Sequence, residues 1–235
     1  MSAGACREAG PAAPYGTRGL LLDFGAVITV SVFERHRQTE QRLGLSAGTL
    51  LWEGPIAPDT DPLWQSMQRD ELSEREYWAR RAAELGALVG ESGWDMGQLL
   101  SRVREENPQD VVRPAMRELI ADCRTNRIKV GILSNEMELF YGRAFLDGMN
   151  LLQHMDVVVD ATHTGILKPD ARAYEHALAA MRLRADEVLF VDDQFRNIAG
   201  AVKVGLKIQH FDLRDVGENF AAMRVRLGLP IQVTR

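Results

Sequence analysis

Residues 19–25 read Gly-Leu-Leu-Leu-Asp-Phe-Gly, and residues 188–193 read Val-Leu-Phe-Val-Asp-Asp. Each is a short apolar run that ends in aspartate, a pattern typical of a buried strand that stops at a turn. Three further strand-like runs cover residues 128–133, 155–159 and 207–211, and amphipathic helical patterns lie between the later runs. Nearly continuous apolar strands joined by helices indicate an α/β fold with a doubly wound parallel sheet that is covered on both faces.

A long segment of polar, helical character separates the first two strand-like runs. Arg, Glu and Gln dominate it, and Gly and Pro interrupt it at several points. We therefore predict a disordered leader over residues 1–18, an α/β core formed by residues 19–32 and 112–235, and a helical domain over residues 33–111. This second domain is inserted after the first strand of the core.

The composition indicates which kinds of partner the protein binds and in which compartment it lies. The chain has 235 residues, with 33 acidic and 28 basic side chains and a net charge of −5. This balance argues against nonspecific nucleic-acid binding, which needs Lys and Arg facing phosphates. No apolar run approaches the roughly 18–20 residues that cross a bilayer, and residues 1–18 lack the apolar region of a secretory signal. We expect a cytoplasmic monomer or homodimer that binds neither nucleic acid nor membranes.

The two cysteines, Cys6 and Cys123, are too few for a disulfide framework. Cys123 shares the apolar face of a predicted helix with Leu119 and Ile120. No base or second ligand is near it in the sequence, so we predict a buried, inert thiol.

Polar side chains follow the strand-like runs in a regular way. By itself each has an ordinary explanation, as a turn former, a helix cap or a solvated loop lysine. The carboxyl ends of the strands in a doubly wound sheet meet at one crevice, so we expect these side chains to converge. They are Asp23 after the first run, Ser134 and Asn135 after the second, Lys168 after the third, and Asp192 and Asp193 after the fourth.

In this order and spacing, the four motifs resemble those of the haloacid dehalogenase (HAD) superfamily over residues 19–32 and 112–212. Asp-Phe-Gly-Ala-Val-Ile, from Asp23, and Val-Asp-Asp-x-x-x-Asn, from Val191, are similar to the branch with sugar-phosphate phosphatases and the N-terminal domain of soluble epoxide hydrolase. The resemblance implies a Rossmann-like core whose inserted helical segment is a cap. It also implies a Mg²⁺-dependent phosphatase that acts on a small phosphorylated metabolite through an aspartyl-phosphate.

The resemblance also implies roles for the converging side chains. Asp23 would be the nucleophile that attacks phosphorus. Ser134 and the amide of Asn135 would hydrogen-bond the phosphoryl oxygens, and Lys168 would contact the same group as a catalytic cation.

Mg²⁺ would be held by Asp23, by the backbone carbonyl of Gly25, by Asp192 and by Asp193, the last directly or through water. Two like charges about 4 Å apart repel by roughly 4 kcal/mol at an effective dielectric constant near 20. Three clustered carboxylates therefore favour a bound cation.

One position departs from the family pattern. Phosphatases of this family usually carry a second Asp two residues after the nucleophile, where this chain has Gly25. That Asp protonates the leaving oxygen and later deprotonates the attacking water, a contribution of typically ~10²–10⁴-fold in rate. Glu34, His36 or water are the candidates to replace it. Leaving groups of low pKa, such as an acyl phosphate, would suffer less. The alternative is a HAD-fold binding or regulatory protein without turnover.

Two other chemistries of the superfamily fit less well. The 2-haloacid dehalogenases work without metal and lack the paired Asp that Asp192 and Asp193 form here. Phosphonate hydrolysis needs a cap lysine, and the chain has no lysine between Val32 and Val111.

All four tryptophans lie in the inserted segment. Bulky anchors for the segment's own core explain most of them, but Trp52, beside Gly54 and Pro55, is the candidate to contact substrate. The run from Arg75 to Arg81 is expected to form a solvated helix face.

Overall fold

A computed structural model of the protein describes residues 16–231. Within these residues, five parallel strands form one sheet in the order β3-β2-β1-β4-β5. The strands are β1 (Gly19–Leu22), β2 (Lys129–Ser134), β3 (Val157–Asp160), β4 (Val188–Asp192) and β5 (Lys207–His210). The parallel α/β sheet expected from the sequence is thus confirmed.

Strand β1 lies at the centre of the sheet and its four residues are buried. Leu22 pairs with Ile132 of β2 on one side and with Val191 of β4 on the other. The chain builds β2 and β3 on one side of β1 and then β4 and β5 on the other, so the strand order reverses at β1. Ligands bind at such a reversal point, beyond the carboxyl ends of the strands, and Asp23 and Asp192 lie there.

Successive side chains of β1 point to opposite faces of the sheet. Both faces are therefore apolar, and helices cover each of them. Leu20 and Leu22 pack in one apolar cluster with residues of the helices over Pro114–Thr125 and Val216–Leu227, and Leu21 packs in a second with residues of those over Ala171–Met181 and Phe195–Val204. The core helices are α5 (Pro114–Thr125), α6 (Met137–Tyr141), α7 (Arg143–Asp147), α8 (Ala161–Thr164), α9 (Ala171–Met181), α10 (Phe195–Val204) and α11 (Val216–Leu227). Over residues 16–231, every helix is too short or too polar to pass through a bilayer.

Four helices lie between β1 and α5 and form the cap. They are α1 (His36–Arg42), α2 (Pro62–Gln68), α3 (Glu74–Leu88) and α4 (Met96–Val103). Ser73 begins α3 with a reciprocal capping box to Glu76, and Asp95 begins α4 with one to Gln98. Phe33 contacts the rings of the aromatic cluster that fills the cap interior, with Trp52, Trp64, Tyr77 and Trp78.

The chain enters and leaves the cap through two adjacent segments. The Val30 N–H donates to the Val111 carbonyl at 2.9 Å, and the Arg113 N–H donates to the Ile28 carbonyl at 3.0 Å. The guanidinium of Arg113 donates to the Ala26 carbonyl as well. These bonds fix the base of the cap to the end of β1.

Two sequence-based expectations need correction at their edges. Residues 1–15 of the predicted disordered leader, including Cys6, lie outside the described residues. Arg18, however, extends the sheet: its N–H donates to the Glu187 carbonyl at 2.7 Å, and its carbonyl accepts from Lys129. The Arg75–Arg81 run is not simply solvated, because Arg81 is 6% exposed and pairs with the buried Asp61.

Cys123 is a buried free thiol, as predicted. Burial raises the pKa of its thiol to about 12, so the thiolate is absent at neutral pH and the residue serves as part of the core.

Candidate active site

The predicted convergence of strand ends is realised around Lys168. Its ammonium donates to Asp23 Oδ1 at 2.5 Å and to Asp192 Oδ2 at 2.7 Å, and the side chain is almost completely buried. Burial by itself would lower the pKa of Lys168, but the carboxylates of Asp192 and Asp23 raise it. The three residues, 145 and 24 positions apart in the sequence, therefore form one charged cluster at the reversal point of the sheet.

Asn135 positions Lys168 from the end of β2. Its side-chain carbonyl accepts the Lys168 backbone N–H at 2.7 Å, and its amide donates to the Lys168 carbonyl at 3.2 Å. The same amide donates to Glu74 of α3 at 3.3 Å. Asn135 thus holds the backbone of Lys168 on one side and contacts the cap on the other.

The two oxygens of Asp192 are fully engaged. Oδ1 accepts from the Gln194 N–H and the Asn197 amide, and Oδ2 accepts from Lys168 and the same Asn197 amide. Asp193 differs: its side chain is buried, and no described residue donates a hydrogen bond to its carboxylate. Burial, followed by the charges of Asp192 and Asp23, raises the pKa of Asp193 well above its usual range.

Asp23 presents one oxygen to Lys168 and leaves the other, Oδ2, without a donor among the described residues. Burial raises the pKa of Asp23 to about 7, although Lys168 opposes this shift. Burial disfavours the charged form of a carboxyl group, whereas a nearby cation favours it. A cation beside Asp23 would therefore keep its carboxylate ionised.

The donor set suits a hard divalent cation, because Mg²⁺ binds carboxylate and carbonyl oxygens. Asp23 and Asp193 offer unoccupied oxygens, and the Gly25 carbonyl, which accepts the Val27 N–H at 2.7 Å, lies in the same turn. In residues 16–231, no three His, Cys, Asp or Glu side chains form a ready metal-binding group. The residues fit Mg²⁺ chemically, but Lys168 bridges two of the predicted ligands.

A cavity of about 100 Å³ lies between these strand ends and the cap. Asp23, Gly25, Ser134, Asn135 and Asp193 line it from the core. Most of its remaining wall is apolar, and includes Phe24, Phe33, Trp64, Trp78, Met96 and Leu100. The predicted site residues of strands β1, β2 and β4 thus face a small, largely apolar chamber.

Trp52 does not line this cavity, which corrects the expectation that it contacts substrate. It is 3% exposed, and its ring packs against Phe33 and His36. The Arg81 guanidinium lies 4.8 Å from the Trp52 ring centre. Trp52 serves the core of the cap, while Trp64 and Trp78 form part of the cavity wall.

The two candidates for a replacement acid are also outside the cavity lining. Glu34 is bound bidentately by Arg113, at 2.8 and 2.5 Å. His36 packs against Phe33 and Trp52, and burial lowers its pKa. Neither side chain faces Asp23.

Two carboxylates that sequence reasoning missed do face it. Glu74, at the first position of α3, and Glu136, directly after Asn135, both line the cavity. Glu136 forms an ion pair with Arg75. The position of Glu136 directly after Ser134 and Asn135 could have identified it as a site residue from the sequence. No local pattern identifies Glu74, because its place at the cavity depends on how the cap packs on the core.

The chain is similar to a family model described as haloacid dehalogenase-like hydrolase over residues 19–205. It is 32% identical over 94 residues to phosphatase MT3486 of Mycobacterium tuberculosis, a match that covers 40% of this chain and 43% of that protein. It is 23% identical over 216 residues to acyl-CoA dehydrogenase family member 10 of Mus musculus, covering 92% of this chain and 20% of that one. The chain therefore spans less than half the length of each.

Among solved structures, the fold is similar to that of the HAD-hydrolase YfnB from Bacillus subtilis, described as bound to magnesium. The TM-score is 0.59 at 18% sequence identity, and the match covers 82% of this chain and 85% of the other. This likeness concerns the fold. Because the family model matches residues 19–205, well over half of the sequence, the chain belongs to the haloacid dehalogenase-like hydrolases.

Proposed function

We propose that the protein is a phosphatase of small phosphorylated metabolites with Asp23 as its nucleophile. One observation carries the proposal: Asp23 has one oxygen bound by Lys168 and the other without a donor at the wall of the cavity between core and cap. A carboxylate held in this way is oriented for attack on an electrophile placed between core and cap.

The neighbours of Asp23 support phosphoryl transfer. Lys168 offsets negative charge on the carboxylates that a phosphoryl group must approach. The Ser134 hydroxyl lines the cavity and has no hydrogen-bond partner among the described residues. It is therefore free to donate to a phosphoryl oxygen. When bound by Asp23, Asp193 and the Gly25 carbonyl, with Asp192 nearby, Mg²⁺ would supply the further positive charge that a dianionic phosphate requires.

The cavity favours a substrate whose organic part is apolar. Beyond the strand ends most of its lining is apolar, with Phe33, Trp64 and Trp78 among the residues on the cap side. The cationic side chains of the lining are engaged elsewhere, since Arg35 pairs with Glu105 and Arg104 donates to the Tyr141 carbonyl. A second anionic group on the substrate therefore has no free partner among the described lining residues.

The test is release of inorganic phosphate from a panel of small phosphomonoesters, with and without Mg²⁺. We expect turnover by the wild type, none by Asp23→Asn, and unchanged turnover by the control Asp59→Asn, an exposed cap residue. Absence of Mg²⁺-dependent, Asp23-dependent turnover across the panel would refute the proposal.

A second candidate function rests on Gly25, which removes the family's general acid-base. A binding or regulatory protein of this fold would hold a phosphorylated ligand in the same cavity without turning it over. Calorimetry separates the two: tight binding without turnover, together with no gain of turnover in Gly25→Asp, favours the binding protein.

A further inference from the structure

Phosphoryl transfer at this site lacks an obvious proton donor. Gly25 has no side chain, and neither Glu34 nor His36 reaches the cavity. An alkoxide leaving group is too basic to depart unprotonated at a useful rate, so a side chain of the cavity wall or a water molecule must supply the proton. This inference rests on the phosphatase activity proposed above.

Apart from Asp23 and Asp193, three acidic side chains line the cavity among residues 16–231: Glu74, Glu136 and Tyr141. Glu136 is held by the Arg75 guanidinium through bonds of 3.1 to 3.3 Å, so its oxygens are engaged. Tyr141 shares a hydrogen bond with the Thr29 hydroxyl at 3.0 Å, and burial raises its pKa further. Both are poor donors for a leaving oxygen.

Glu74 remains. It is half-buried, lies on the cap side of the cavity, and has no ion pair with any described residue. Its carboxylate accepts a hydrogen bond from the Asn135 side-chain amide at 3.3 Å. The charge of Glu74 contributes to the raised pKa values of both Asp23 and Asp193, as expected of carboxylates that face one cavity.

We infer that Glu74 of the cap is the general acid-base that replaces the side chain missing at Gly25. An Asp23 oxygen forms a bond to phosphorus while the bond from phosphorus to the leaving oxygen breaks. The electron pair of that bond goes to the leaving oxygen, which takes the proton of the Glu74 carboxyl and departs as an alcohol. In the second step the Glu74 carboxylate removes a proton from water as the water oxygen forms a bond to phosphorus. The bond between phosphorus and the Asp23 oxygen breaks, its electron pair returns to the Asp23 carboxylate, and inorganic phosphate leaves.

The arrangement has a functional consequence. The acid is on the cap, so a complete site exists only when α3 is docked against the end of β2. The position of the cap on the core therefore decides whether the proton donor lies at the site.

The experiment compares two substrates of different leaving group, n-butyl phosphate and p-nitrophenyl phosphate, by kcat/KM, which reports on the first transfer. Glu74→Gln keeps the acceptor for Asn135 but removes the proton. We expect it to lower kcat/KM by ~10²–10⁴-fold for the butyl ester and by less than about tenfold for the nitrophenyl ester, since p-nitrophenolate leaves unprotonated.

Gly25→Asp in the Glu74→Gln background tests rescue. A Cβ at Gly25 has Asp23 Oδ2 at 4.0 Å as its nearest non-neighbouring atom, so the first atom of a side chain meets no clash there. We expect the aspartate to restore much of the turnover of the butyl ester. The control is Glu84→Gln, a residue of the same helix that pairs with Arg81 outside the cavity lining, and it should leave both rates unchanged.

The outcomes separate the two proposals. Three results would overturn the role of Glu74 and leave Asp23-dependent turnover standing. Glu74→Gln could lower kcat/KM equally for both esters, or for neither. The wild type could also hydrolyse only the nitrophenyl ester. A wild type that hydrolyses neither ester would overturn the phosphatase proposal, and the role of Glu74 with it.

Discussion

Arg75 of helix α3 and Glu136, which follows strand β2, form an ion pair between cap and core, with 2.9 Å between Nη2 and Oε1. A second polar link lies on α10, where Arg196 pairs with Asp70 and donates to the Met67 carbonyl. Each arginine forms an ion pair with a carboxylate on the other side of the boundary between cap and core. These polar contacts hold the cap on the core at two points beside the cavity.

Arg75→Ala is expected to loosen the cap. The Glu136 side chain is buried, and burial already raises its pKa against the effect of Arg75. Since Arg75 itself is largely exposed, the expected loss of unfolding free energy is only about 1 kcal/mol, while KM rises several-fold. Urea unfolding and substrate titration measure the two effects. Arg80→Ala, an exposed change on the same helix, should alter neither, and an unchanged KM in Arg75→Ala would contradict the link.

Lys168→Met is expected to impair both folding and activity. It leaves Asp23 and Asp192 buried without the ammonium that contacts both. Breaking a buried ion pair from one side costs about 3–5 kcal/mol, and turnover should fall by ~10²-fold or more. Chemical denaturation and phosphate release are the measurements, with the exposed Lys203→Met as control. Wild-type stability in Lys168→Met would show that the carboxylates do not depend on this cation.

Asp61→Ala is expected to destabilise the cap. Asp61 is fully buried and accepts hydrogen bonds from the Arg81 guanidinium at 2.5 Å, the Tyr77 hydroxyl at 2.6 Å and the Trp64 N–H at 2.9 Å. Removing the carboxylate leaves Arg81 with Glu84 as its remaining carboxylate partner and takes the acceptor from the buried Tyr77 hydroxyl, at a cost of about 3 kcal/mol. Urea unfolding of this variant beside Asp59→Ala, two residues away and exposed, tests it. Equal midpoints for the two variants would rule out the structural role of Asp61.

His36 predicts how stability changes with pH. Burial lowers the pKa of His36 below the ordinary value of 6.5, so the unfolded chain takes up the proton first as the pH falls. Its contribution to stability is therefore complete above pH 6.5 and is lost as the pH falls through the lower, folded-state pKa.

His36→Gln should remove that part of the acid-side loss, whereas the exposed His154→Gln should keep the wild-type dependence. Unfolding free energies measured from neutral to mildly acidic pH decide the matter. Identical pH curves for wild type and His36→Gln would show that the ring is protonated equally in both states.

The sequence by itself determined the sheet and the core side of the site. Apolar runs that end in polar residues indicate where parallel strands stop, and parallel strands stop at one edge of the sheet. The convergence of Asp23, Lys168 and Asp192 could therefore be predicted from the sequence. The spacing also revealed the insertion and the missing carboxyl at Gly25. These features are local patterns or follow from the topology of the sheet.

Only the tertiary structure decided which cap residues face the nucleophile. The bounds of the cap helices do not determine how the cap is rotated on the core, because many docking angles would bury a similar apolar area. The docking seen here turns Glu74 and Trp78 into the cavity, leaves Trp52 inside the cap, and engages Glu34 with Arg113. That orientation depends on contacts between residues distant in the sequence, and no local pattern records such contacts.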